Sequence, residues 1–152
     1  MPTLRKYRPE DFESLLEIDR ACFIEGIAYT AQELRYFLRM PAATTLVAED
    51  GKEIQGFVIA DCLRQRRTAR AMGRIITIDV VPAFQHGGTG TLLLMAVEQE
   101  LRQAGCDSVT LEVAVDNSRA LSFYKKHYYS VLKVLPRYYL DSIDGLMMGK
   151  RL

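Results

Sequence analysis

Apolar residues recur along this chain with two periods, and the alternation between them predicts an ordered series of helices and strands. Phe12, Leu15, Leu16 and Ile18 keep one face at helical spacing, behind Pro9-Glu10-Asp11, which suits a first helical turn. A second helix is expected from Ala31 to Arg39, because Thr30 and Glu33 stand at the spacing of a capping box. Strands are expected at Thr3 to Lys6, Thr44 to Glu49 and Ile54 to Cys62, the last two flanking the hairpin signal Asp50-Gly51. Gly73 to Val81 forms another strand, and Thr91 to Ala104 a helix closed by Gly105. Val109, Leu111, Val113 and Val115 alternate with Thr110, Glu112 and Ala114, so one apolar row is expected with Glu112 pointing away from it. Asp116-Asn117-Ser118 then caps a helix from Arg119 to His127 that carries Leu121, Tyr124 and Tyr128. Tyr129 to Leu135 and Leu146 to Arg151 close the series as strands.

Val81 to Leu94, VPAFQHGGTGTLLL, joins a strand to a leucine-rich helix through a Gln-x-x-Gly-x-Gly turn. Helix starts carry unsatisfied N–H donors and partial positive charge, and Gly87, Gly88 and Gly90 let a phosphate approach without meeting a Cβ. A nucleoside-triphosphatase loop would need Lys and then Ser or Thr after its second Gly, whereas Thr91 and Leu92 follow Gly90. A dinucleotide fingerprint would need Gly or Ala where Leu93 stands, although Glu112 lies at a suitable distance for a ribose partner. The Q/R-x-x-G-x-G/A turn that holds the pyrophosphate of coenzyme A fits Gln85, Gly88 and Gly90 without a misplaced residue. Taken alone, the motif also fits an ordinary glycine-rich turn.

The chain resembles the GCN5-related N-acetyltransferases (GNAT), and among them the RimI-type enzymes that acetylate protein N-termini. The carriers are Ile78-Asp79-Val80 with Pro82, the turn Gln85-His86-Gly87-Gly88-Thr89-Gly90, and Leu111-Glu112-Val113 followed by Asn117, Ala120 and Tyr124. The resemblance implies one GNAT-like α/β (α+β) domain over residues 1–152, with a mixed sheet of about seven strands and about four helices. It implies acetyl-coenzyme A as cosubstrate, its pyrophosphate on the amides from His86 to Thr91. The backbone of Ile78, Asp79 and Val80 would pair with the pantetheine arm, and Asn117 would steady the cofactor from the other side. Glu112 occupies the place of the general base and Tyr124 that of the general acid, with Asp79 as rival base. Two departures stand out. The turn lacks the usual Arg or Lys, so phosphate binding would rest on backbone dipoles. Tyr128-Tyr129 replaces the Gly-Phe pair that ends the tyrosine-bearing helix, so that helix is expected to run on or to end through a different turn.

Tyr138 and Tyr139 fall where such enzymes cover the peptide entrance, and Phe23 and Tyr29 would sit across it. Each also has a plain reading as packing. Transfer in a ternary complex to a peptide or protein N-terminus is implied, a ribosomal protein being one such acceptor. A small-amine acetyltransferase and a silent acyl-coenzyme A-binding module are the alternatives. The run Arg64, Arg66, Arg67, Arg70, Arg74 reads as a solvated hairpin loop, with an acidic partner as the sharper alternative. His86 would face phosphate or solvent, and His127 would end its helix.

A formal net charge of +1 argues against a nucleic-acid binder, and no apolar run is long enough to span a bilayer. Cys22, Cys62 and Cys106 are odd in number and have no metal spacing, so reduced thiols, no metal site and a cytoplasmic setting are expected, as monomer or homodimer.

Overall fold

The capping box forms as expected. The Glu33 N–H donates to Thr30 Oγ1 at 3.1 Å and the Thr30 N–H to Glu33 Oε1 at 3.0 Å, which starts α2 (Ala31–Arg39). The computed structural model describes residues 1–68 and 70–152. Its elements run β1 (Thr3–Lys6), α1 (Phe12–Cys22), α2, β2 (Ala43–Asp50), β3 (Glu53–Arg64), β4 (Ala71–Val80), α3 (Thr89–Gln103), β5 (Cys106–Ala114), α4 (Ser118–Lys126), β6 (Ser130–Tyr139) and β7 (Ile143–Arg151). Pro9–Asp11 forms a separate 3-10 turn ahead of α1, and α3 starts at Thr89, two residues before the expected position.

The seven strands make one mixed sheet in the order β1-β2-β3-β4-β5-β7-β6. Strands β4 and β5 pair in parallel, which requires a crossover, and α3 supplies it. Both faces are covered. Leu93, Leu94, Val97 and Leu101 of α3 and Tyr124 of α4 pack on Val58, Ile75, Val109, Leu111 and Met148. On the other face, Phe12, Leu15, Leu16 and Leu34 of α1 and α2 pack on Val47, Phe57 and Ile59. Each such Leu or Phe contributes about 1.5–3 kcal/mol by leaving water. Val109, Leu111 and Val113 form the expected buried row, but Val115 lies beyond the strand end and is exposed.

The sheet is split where the site lies. In β4, Ile75 pairs with Ala60 and Thr77 with Ile59, which leaves Ile76 as an extra, bulged residue. Pairing between β4 and β5 stops at Arg74↔Thr110, although both strands continue, to Val80 and Ala114. Their carboxyl ends therefore diverge, at the edge of a parallel pair where α/β sheets place ligands.

Helix α4 ends in a way the sequence argued against. Tyr128 takes the left-handed conformation at φ 73°, the Tyr129 N–H donates to Tyr124 O at 3.0 Å and the Tyr128 N–H to Lys125 O at 3.1 Å. This is a full Schellman motif built on tyrosine where glycine is usual. The next residues hold it in place: Tyr129 Oη donates to buried Glu98 Oε2 at 2.7 Å, and Lys150 Nζ reaches the same oxygen at 2.8 Å and His127 O at 3.1 Å. A left-handed non-glycine residue costs about 1–2 kcal/mol, and the Tyr128 side chain is 85% exposed, so little packing offsets that strain. Tyr128→Gly is expected to stabilise the protein by about 1 kcal/mol after the extra unfolded-chain entropy of Gly is deducted. The thermal midpoint should rise by about 2–4 °C, and a fall would show that the exposed ring holds a stabilising contact.

Candidate active site

The turn between β4 and α3 presents a row of unused donors. His86 at φ 69° and Gly88 at φ 93° bend the chain so that it enters α3 with Gly88 as N-cap. No acceptor among the described residues takes the backbone N–H groups from His86 to Thr91. A Cβ on Gly88 would meet nothing within 4 Å, and His86, Gly87 and Gly88 are exposed, so the concave side of the turn is open to an anion. A Cβ on Gly90 would lie 3.4 Å from the Phe123 ring, which fixes how closely α4 approaches the cradle. Thr89 turns its hydroxyl inward to Gln55 Oε1 at 3.1 Å and contributes its amide alone.

Side-chain charge reaches the turn from elsewhere. Gln85 Nε2 donates to Val80 O at 3.0 Å, and Arg119 Nη1 at the start of α4 donates to Gln85 Oε1 at 3.0 Å. Gln85 is thus a brace that holds an exposed arginine at the start of the turn, a side-chain charge that the turn's own residues do not supply. Asn117 spends its Oδ1 on the Ala120 N–H at 3.2 Å, capping α4 and fixing where Arg119 sits.

The opening below the cradle is lined by the backbone of β4. The Val81 N–H donates to Gln55 O at 2.8 Å, which makes Gly56↔Val80 a non-hydrogen-bonded pair of the antiparallel ladder. The N–H and C=O of Val80, and by the same parity those of Ile78, therefore point away from β3 into the split. Their side chains pack into the α3 core. Cys22 Sγ donates to Val80 O at 3.2 Å, and burial, with Asp79 nearby, pushes the thiol up to about 12, so it stays a donor.

Asp79 points to the opposite face and is 1% exposed, with Thr77 Oγ1 donating to its Oδ1. Burial first, then the neighbouring Asp19, raises its pKa well above the usual carboxylate range. Glu112, by contrast, is exposed, on the α1/α2 face of β5 beside the split. Burial raises the Tyr138 hydroxyl to about 12, with the Glu112 carboxylate as the next cause, so the two groups are neighbours. Tyr139 feels the same carboxylate and lies edge-on to Tyr138, ring centres 5.1 Å apart. Tyr29 donates through Oη to Ile76 O at 3.2 Å, reaching the bulge of β4. Tyr124 comes from the far face of the sheet; it is 7% exposed, and its hydroxyl has no hydrogen-bond partner among the described residues. Burial, then Asp79 and Tyr139, raises its pKa, so Tyr124 is a neutral phenol that senses groups on the other face through the split.

These elements recur in known proteins. Residues 12–128 match the acetyltransferase (GNAT) family. The chain belongs to that family. It is 30% identical to an N-alpha-acetyltransferase of Sulfurisphaera tokodaii, over 96% of this chain and 90% of that one. The crystal structure of Ard1 from Thermoplasma volcanium superposes with a TM-score of 0.86 at 29% identity, covering 99% of this chain and 97% of that one. The ribosomal-protein-S18-alanine N-acetyltransferase of Escherichia coli shares the fold, with a TM-score of 0.85 at 18% identity over 99% and 94% of the two chains. As a GNAT-family N-acetyltransferase, the protein takes acetyl-coenzyme A as cosubstrate, and the unpaired amides and open glycine cradle suit its pyrophosphate.

Within this GNAT chain the structure brings together most of the residues expected from the sequence. Phe23 is the half-buried C-cap of α1, and no ring pair among the described residues includes it. His127 ends α4, its Nε2 3.1 Å from Thr91 Oγ1. Arg74 is not in the hairpin loop. It lies in β4, donates to Asp61 through Nε at 3.2 Å and Nη2 at 2.9 Å, and feels Glu112 and Tyr29. Ala69 of that stretch lies outside the described residues. Arg119 carries no sequence signal and the arginine run does not set Arg74 apart, since both acquire their place through contacts distant in the chain.

Proposed function

We propose that this N-acetyltransferase acts on the α-amine of a peptide or protein N-terminus, by direct transfer in a ternary complex. The observation that carries the reading is the set Glu112, Tyr138, Tyr139 and Tyr29 around the split in the sheet, roofed by two loops that meet. A Cβ on Gly26, between α1 and α2, would lie 2.5 Å from Leu140 Cδ2 in the β6–β7 turn, so these loops touch. An acceptor would reach the split past tyrosines, a lining suited to an extended chain end. Amine basicity favours the same acceptor: an α-amine near pKa 8 needs about 3 kcal/mol less help to become neutral than a lysine near 10.4. The free thiols Cys22, Cys62 and Cys106 fit a reducing, cytoplasmic setting.

Acetyl-coenzyme A would supply an activated acetyl group; the amides from His86 to Thr91 and Arg119 would hold its pyrophosphate, and the Ile78–Val80 backbone would hold its arm. Glu112 takes the proton that an ammonium must lose before it has a lone pair to attack with, directly or through one water. The Val80 N–H, facing the split, donates to oxygen where negative charge develops. Tyr124, held neutral by burial, gives its proton to the departing thiolate.

Gly88→Val tests the cradle, because it places a β-branched residue at φ 93° and a side chain in the anion's space. Acetyl-coenzyme A affinity measured by calorimetry should fall at least tenfold while the far-ultraviolet spectrum is kept; unchanged affinity in a folded variant would remove the turn from the site. The acceptor class is tested by thiol release from acetyl-coenzyme A with N-terminal peptides, polyamines and aminoglycosides side by side. Peptides should dominate; turnover confined to the small amines would replace the acceptor assignment, and binding without any turnover would leave a cofactor-binding module.

A further inference from the structure

Beneath the acceptor side lies a pair of carboxyl groups that the reaction does not use. Asp19 of α1 is 0% exposed and Asp79 of β4 is 1% exposed. One oxygen of each is satisfied: Asp19 Oδ2 accepts the Tyr29 N–H at 2.7 Å, and Asp79 Oδ1 accepts the Thr77 hydroxyl. The other oxygens, Asp19 Oδ1 and Asp79 Oδ2, are shut off from water without any donor among the described residues. Asp19 lies close enough to Asp79 to raise the Asp79 pKa through both a hydrogen bond and its charge. Around the pair stand Cys22 from α1, Tyr29 from the loop after it, Thr77 from β4 and Tyr124 from α4; none is a cation.

Two ionised carboxylates cannot remain in contact in a dry site without a counter-ion, whereas one proton between them makes a charge-assisted O–H···O⁻ bond and satisfies both orphan oxygens. We propose that Asp19 and Asp79 share a single proton between Asp19 Oδ1 and Asp79 Oδ2, forming a clamp that positions the α1–α2 loop and Tyr29 against the bulge of β4. Both are positioning residues. Asp19 holds the Tyr29 backbone, Tyr29 Oη holds Ile76 O, and Cys22 on the same helix holds Val80 O, so the clamp fastens the acceptor loop to the strand that faces the cofactor. The link to catalysis rests on the acceptor assignment above; the shared proton does not.

The sign of the pH dependence follows from linkage. The Asp79 carboxyl loses its proton near pKa 3.9 in the unfolded chain, while in the folded protein it holds that proton to higher pH. The clamp's contribution is fully present below that value and is lost as pH rises through the raised pKa of Asp79. Between these limits the unfolding equilibrium constant should grow about tenfold per pH unit more steeply than in a variant without the shared proton.

Asp79→Asn is the decisive variant, because its amide donates to Asp19 Oδ1 at every pH and mimics the singly protonated pair; Asp19→Asn does the same from the other side. Wild-type protein at pH 7 should show the infrared carbonyl band of a protonated carboxylic acid, and either Asn variant should lack it. Denaturant titrations from pH 5 to 9 should show the extra slope in wild type only. Asp79→Ala should raise the KM for an acceptor peptide at least tenfold, and Asp79→Asn should restore most of it. Absence of the acid band, or parallel stability curves for wild type and either folded Asn variant, would overturn the shared proton without reference to any acceptor. A band and slope as expected, with peptide KM unmoved in Asp79→Ala, would overturn the positioning role.

Discussion

Glu112→Gln is expected to lower turnover at neutral pH by about 10²- to 10⁴-fold, the range for a lost general base, with acetyl-coenzyme A affinity nearly unchanged. Glu112 sits on β5 across the split from the cradle strand and makes no hydrogen bond to the cofactor turn, so the substitution removes proton affinity and keeps shape. Part of the rate should return as pH rises past about 8, because an α-amine is then already neutral and needs no base. Asp79→Asn should cost far less turnover, since Asp79 is buried with Thr77 and Asp19 on its oxygens and does not face the acceptor. Initial rates for both variants from pH 6 to 10 decide the matter. A larger loss for Asp79→Asn would place the base on β4.

Tyr124→Phe should reduce turnover by a similar about 10²- to 10⁴-fold at saturating acetyl-coenzyme A, while cofactor affinity changes little. The ring packs in the α3 core beside Phe123 and Tyr129, at centroid distances of 5.3 and 5.6 Å, and Phe retains that packing. The hydroxyl makes no bond to the protein among the described residues, so its removal leaves no buried group unpaired. Burial raises its pKa, which keeps the phenol protonated at neutral pH. Pre-steady-state measurement of thiol release separates the chemical step from product release; a normal rate there would assign Tyr124 to packing alone.

Sequence pattern revealed the cradle because an anion-binding turn needs small residues at fixed places: Gly88 takes φ 93°, and Gly90 leaves room for no more than a methyl group beside Phe123. The alternating row of β5 likewise gave Glu112 its face. The split between β4 and β5 was not legible, since it depends on a bulge at Ile76 that only the pairing with β3 defines. Asp19 carries no signal in the apolar pattern of α1, and its full burial comes from the packing of β4 against that helix. Tyr128 misled in the opposite direction. Local propensity argued against a left-handed tyrosine, and the Glu98–Tyr129–Lys150 network overrides it from three separate elements.

The proposed acceptor is a free N-terminal α-amine. The direct measurement uses one peptide with an internal lysine, prepared with a free and with a blocked N-terminus, incubated with acetyl-coenzyme A and the purified protein and mapped by tandem mass spectrometry. The expected result is one acetyl group on the α-nitrogen of the free peptide and none on the blocked one. Acetylation of the lysine at equal rates in both peptides would contradict the claim.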